Sequence, residues 1–64
     1  MHDDLKALLS RGWAFGLRFD ALAEVFRATG QHGVLIVRAA GAEPMQSLAM
    51  AMLEAQRVEM EKAK

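Results

Sequence analysis

The side chains able to do chemistry in this chain are few and badly placed for it. They are His2 and His32, the hydroxyls Ser10, Thr29 and Ser47, and eight carboxylates, with no cysteine. A nucleophile needs a base within reach and a third group to orient that base. The three hydroxyls fall in or beside expected helices, with no local motif around them. His32 lies between Gln31 and Gly33 with no carboxylate, serine or cysteine at a telling spacing. It reads as a solvated turn residue rather than a base or ligand. His2 beside Asp3 and Asp4 could hold a divalent ion weakly, but at the start of the chain it reads as part of a frayed end. Without cysteine there is no disulfide and no thiolate zinc site, and two histidines alone do not build a structural metal centre. Paired carboxylates could work as acid and base. A fold of 64 residues, however, has little room for a pocket of roughly 300–1,000 Å³. The expectation is a protein that is not an enzyme, with no catalytic, cofactor-binding or metal-ligating residues.

Two glycine-bearing stretches invite a phosphate-loop reading. Such loops precede a helix, so that its free N–H groups meet the anion. Gly30-Gln31-His32-Gly33 is expected to follow a helix and precede a strand, the wrong order. Gly41-Ala42-Glu43-Pro44 does precede a helix, but Glu43 already brings negative charge there and Pro44 lacks an N–H.

The elements that would position these residues centre on 44–64, which has no glycine and has the chain's only proline at its first position. Met45, Leu48, Ala49, Met52, Leu53 and Met60 recur at helical spacing on one arc, with Glu54, Arg57 and Glu61 opposite. A long C-terminal helix is expected, with Met50 and Val58 off its main arc. Ahead of it, Asp3 or Asp4 can cap a short helix carrying Leu5, Leu8 and Leu9, which Gly12 ends. Trp13, Phe15, Leu17 and Phe19 then alternate with Ala14, Gly16 and Arg18, the period of a half-buried strand. Phe15, Phe19, Leu22 and Phe26 also fit one helical stripe, which Gly16 disfavours by about 1 kcal/mol. Asp20 is expected to open a second helix through Leu22, Val25 and Phe26 that ends at Thr29-Gly30. Val34–Val37 is an unbroken apolar run rich in β-branched residues, expected to be an interior strand covered on both faces. The expected fold is α+β, one domain over 1–64, in the order helix, strand, helix, strand, helix.

Size then suggests a partner. A 7.0 kDa chain buries roughly 6,000 Å² on folding. If about 60% of that is apolar, burial contributes roughly 90 kcal/mol. Ordering the residues costs roughly 95 kcal/mol. With no disulfide or metal to tip the balance, self-association is the favoured route. Two strands make a poor sheet, and pairing across a twofold axis would give a shared one.

Eight basic and eight acidic residues balance, four of each in 1–30 and four of each in 31–64. No block of one sign creates a field to draw in nucleic acid or an anionic membrane. The start Met-His-Asp-Asp lacks the form of a signal peptide, and no apolar run reaches membrane-spanning length. A cytoplasmic protein, not bound to membrane, is expected. The leading reading is a homodimeric protein-interaction module (inhibitor, adaptor or assembly factor) that occupies one protein partner's surface. Trp13, Met50, Val58 and Met60 are its candidate interface residues, because Met adapts to varied surfaces and Trp anchors interfaces, although Trp13 near a cluster of Phe reads first as core. The alternative is a small dimeric nucleic-acid-binding regulator. It would require Arg11, Arg18, Arg27 and Arg38 to converge on one face, and nucleic acid is the less expected partner.

Overall fold

The computed structural model describes residues 2–62, with nothing described of the side chain of His2. The weak metal site suggested for His2 therefore lies outside the described residues. The chain begins with α1 (His2–Ser10), which carries Asp3 and Asp4 in its first turn. Free N–H groups there favour negative charge. The helix stops at Gly12, whose φ of +102° is costly for any residue with a Cβ. The Trp13 N–H donates to the Leu8 carbonyl and the Gly12 N–H to the Leu9 carbonyl, both at 3.1 Å. This is the Schellman pattern. Its usual apolar contact is present too, since Trp13 and Leu8 are buried in one cluster.

Three strands follow, β1 (Ala14–Asp20), β2 (Val25–His32) and β3 (Leu35–Gly41), in an antiparallel sheet ordered β1-β2-β3. The helix expected from Asp20 is therefore a turn and a strand. The Asp20 carboxylate does accept backbone N–H bonds, from Leu22 at 3.1 Å and Ala23 at 3.2 Å. An aspartate that caps a helix can equally close an Asx turn, and here it closes the β1–β2 hairpin, with Glu24 at φ +56°. Leu22, expected on the apolar side of that helix, is fully exposed at the turn. Beyond it, Val25, Arg27, Thr29 and Gln31 alternate with Phe26, Ala28, Gly30 and His32, which is a strand period.

The expectation that Val34–Val37 is covered on both faces also fails. β3 is an edge strand and only one face of the sheet is covered. Val37 is buried, while Ile36 is 53% exposed and Val34 stands in the turn.

The final helix, α2 (Pro44–Lys62), begins where Pro44 suits the first helical position. The Glu43 carbonyl accepts the Ser47 N–H at 3.1 Å. α2 lies across β3 and β2 and scarcely reaches β1. Leu8, Trp13, Val37, Met52 and Ala55 form the buried centre, with Leu5, Phe15, Leu35, Leu48 and Val58 packed around it. Gly30 lets this layer close. A Cβ there would come within 2.6 Å of the Phe15 ring and 2.9 Å of Val37. The result is an α+β fold in which two helices cover one face of a three-stranded sheet.

Candidate functional site

Register partners in a sheet share a face. Phe15, Gly30 and Val37 are partners beneath α2, as are Leu17, Ala28 and Ala39. The other face then carries Arg18 opposite Arg27 opposite Ala40, and one rung along, Gly16 opposite Thr29 opposite Arg38. Arg18, Arg27, Thr29 and Arg38 line a shallow hollow of about 310 Å³ on this uncovered face. Asp20 pairs with Arg27 at 2.9 Å. That hydrogen bond, helped by the Ala23 and Leu22 N–H groups and by the charge of Arg27, holds the Asp20 carboxyl below its ordinary pKa. Among the described residues, Arg18 and Arg38 make no ion pair.

Arg11 is the one arginine of the four that does not join them. It grips Glu59 with two bonds, Nε to Oε2 and Nη2 to Oε1, both 2.8 Å. The indole N–H of Trp13 donates to the same Oε2 at 3.0 Å. His32 closes the corner. Its ring lies 5.4 Å from that of Trp13, and its Nε2 is 2.9 Å from the Arg11 carbonyl oxygen. A carbonyl only accepts, so Nε2 carries the proton in this contact. His32 is thus the half-buried last residue of β2, not the solvated turn residue expected. The Arg11 hydrogen bond, with that of Trp13 and the charges of Arg11 and His32, lowers the Glu59 pKa against a smaller opposing effect of burial. These groups bond one another, tying the end of α1 to the end of α2. The arrangement is a clamp.

The third surface is the outer side of α2. Its buried line is Ser47, Ala51, Met52 and Ala55, rotated from the expected arc. Ser47, Ala51 and Ala55 recur every fourth residue, and small side chains let the helix axis come close to the sheet. Leu53 and Met60, expected inside, are 65% and 69% exposed, and Met45 is 57% exposed. Arg57 bridges Glu54 at 2.8 Å and Glu61 at 3.0 Å on the same outer side. The hydrogen bond from Arg57 also lowers the Glu54 pKa.

The four candidate interface residues are not brought together. Trp13 is buried in the core, and Val58, expected off the buried arc, packs against that core. Met50 and Met60 are exposed but lie ten residues apart on α2, roughly 15 Å along its axis. Of the four arginines whose convergence the nucleic-acid alternative requires, Arg18, Arg27 and Arg38 share a face, although a helix over Arg27 would have kept it off the sheet. Read as a strand, β2 puts Arg27 and Thr29 on the Arg18 face by parity alone.

Among the described residues no helix is long and apolar enough to cross a membrane, and no group of three or more His, Asp or Glu side chains is placed to hold a metal ion. Fold and surfaces together define a small open-faced α+β sandwich. No family model, curated protein or solved structure matches the chain.

Proposed function

We propose that this protein is a non-catalytic interaction module that works as a homodimer and presents the outer side of α2 to one protein partner. The observation that carries the reading is that α2 is apolar on two sides. Ala51, Met52 and Ala55 face the sheet, while Met45, Met50, Leu53 and Met60 remain exposed with no element over them. These side chains are strung along the outer side of α2 around the Arg57 ion pairs, an apolar centre with a charged border of the kind contact surfaces use, and the unbranched, polarisable methionines suit one that adapts to a partner. The second copy has a separate place to dock. β1 is a free edge strand that α2 scarcely covers, and Leu17 and Phe19 stand 47% and 54% exposed on its helix side. Pairing two β1 edges would satisfy their unpaired backbone groups and cover these side chains.

The test uses Leu53→Glu and Met60→Glu in the full chain. Both should keep the circular dichroism spectrum and the dimer, and lose the protein that cross-links to the wild type in its native cell. Wild-type-like cross-linking by both variants would remove α2 from the reading. Light scattering over a dilution series tests the dimer, and a 7.0 kDa monomer at every concentration would remove it.

A further inference from the structure

We propose that the uncovered face of the sheet is a phosphate-binding surface, on which Arg18, Arg27 and Arg38 engage successive phosphate groups of a polyanion. Net charge hides this face, because the balance of eight against eight is a sum over the whole molecule. In space the signs separate. Asp3 and Asp4 are on α1, and Glu54, Glu59 and Glu61 are on α2. Glu24 is in a turn and Glu43 precedes α2, which leaves Asp20 as the only acid in the strands.

Arg18 and Arg27 stand directly opposite each other. Like charges so placed oppose folding, and the single nearby carboxylate, Asp20, engages only Arg27. The face therefore keeps an excess of two positive charges around a hollow of about 310 Å³. A guanidinium offers a planar fork of donors that matches phosphate oxygens two at a time. The Thr29 hydroxyl, in the same hollow, adds a donor. Each phosphate group offers a fork more acceptor oxygens than a carboxylate does, and successive groups of one polymer reach the several forks around the hollow. The remaining side chains of this face are Ala14, Gly16, Val25, Gln31, Ile36 and Ala40, with no aromatic ring on which a base could stack. Recognition is therefore of the phosphate backbone and not of sequence. A nucleic-acid strand and inorganic polyphosphate both supply that chemistry. Arg38, on an edge strand, also borders a hollow with Met50 and Leu53 of α2, so Arg18→Gln, on the strand that α2 scarcely reaches, is the variant that separates this assignment from the α2 reading.

The experiment is a fluorescence-anisotropy titration of the full chain with labelled mixed-sequence oligonucleotides, as single-stranded DNA, duplex DNA and RNA. Binding should saturate at about 50 mM salt and weaken about 10- to 40-fold by about 200 mM, as expected for two to three phosphate contacts. Arg18→Gln and Arg38→Gln should each take roughly one unit off the salt slope while melting like the wild type. Met60→Glu should bind like the wild type. Unlabelled polyphosphate should displace the oligonucleotide, and poly-glutamate at equal charge should not. Binding of polyphosphate without any nucleic acid would keep the site and assign it to the free polymer. The proposal is overturned by any of three results. One is no saturable binding of any phosphate polymer at about 50 mM salt. Another is an unchanged slope in a variant carrying both Arg18→Gln and Arg38→Gln. The last is equal displacement by poly-glutamate, which would make the face a carboxylate-binding surface for an acidic protein.

Discussion

Removing the Glu59 side chain tests the clamp between α1 and α2 at its centre. Trp13 is 3% exposed, and its indole N–H donates to Glu59 Oε2. Glu59→Ala removes the acceptor of that part-buried donor, at a cost of about 1–3 kcal/mol. Arg11 is half exposed and returns to water, so the indole dominates the loss. At about 4–8 °C per kcal/mol for a domain of this size, a loss of about 2 kcal/mol lowers the melting temperature by about 8–16 °C. Glu59→Gln keeps an acceptor for the indole and should lose less. A double-mutant cycle with Trp13→Phe, at fixed protein concentration, should return a coupling of about 1–2 kcal/mol. Acid gives a second reading. The Glu59 carboxyl titrates below its ordinary value in the folded chain. Its stabilising contribution is therefore present above the unfolded pKa of about 4.3 and is lost as pH falls through the lower folded value. Urea melts between about pH 5 and pH 3 should show a shallower decline for Glu59→Gln than for the wild type. Equal urea midpoints for Glu59→Ala and wild type at neutral pH would refute the clamp.

Three further substitutions test the sheet. Gly30→Ala places a Cβ 2.6 Å from the Phe15 ring and 2.9 Å from Val37. Thermal melts should show a loss of about 1–3 kcal/mol from overpacking, and an unchanged melt would contradict the close approach over β2. Leu22→Asp, at a fully exposed turn position, should change stability by no more than about 0.5 kcal/mol, whereas Asp20→Ala, which removes both turn hydrogen bonds and the Arg27 pair, should lower the melting temperature. A strongly destabilising Leu22→Asp would restore a helix that buries Leu22 after Asp20.

The α+β class, both outer helices and β1 were legible because each has a local cause. Gly12 supplies the positive φ that a helix stop needs, Pro44 suits the first helical turn, and the aromatic alternation of 13–19 admits one covered face. β2 was missed because its evidence is not local. Phe26, Ala28, Gly30 and His32 contain one large apolar residue, so the face that packs beneath α2 looks polar and weak in the sequence. Gly30 earns its place only through Phe15 and Val37, which are brought to it by pairing. The rotation of α2 has a similar origin. Scoring apolar residues favours Leu53 and Met60, but the sheet selects for size and takes Ser47, Ala51 and Ala55. The sequence names the arginines that would have to converge, but only the pairing of β2 with β1 and β3 brings Arg27 between Arg18 and Arg38.

The proposed dimer and the proposed phosphate face constrain each other through Arg18. Pairing two β1 edges about a twofold axis perpendicular to the sheet keeps both uncovered faces on one side. It also brings the two Arg18 side chains toward the seam, on the face opposite Leu17 and Phe19. Apolar burial beneath the sheet then favours the dimer while like charge above it opposes. Added salt screens the charge, since the Debye length falls from roughly 14 Å at 50 mM to about 7 Å at 200 mM, and leaves the apolar contact in place. Self-association should therefore strengthen over the same salt range in which binding of a phosphate polymer weakens. Arg18→Gln should dimerise more tightly than wild type at low salt and lose most of this salt response, while Leu17→Lys should weaken the dimer at every salt concentration. A phosphate polymer at low salt should substitute for added salt and drive the wild type toward the dimer. Sedimentation velocity at fixed protein concentration reads all of these outcomes. A dimer that weakens with salt, or one indifferent to both Arg18→Gln and Leu17→Lys, would place the contact between copies elsewhere than at β1.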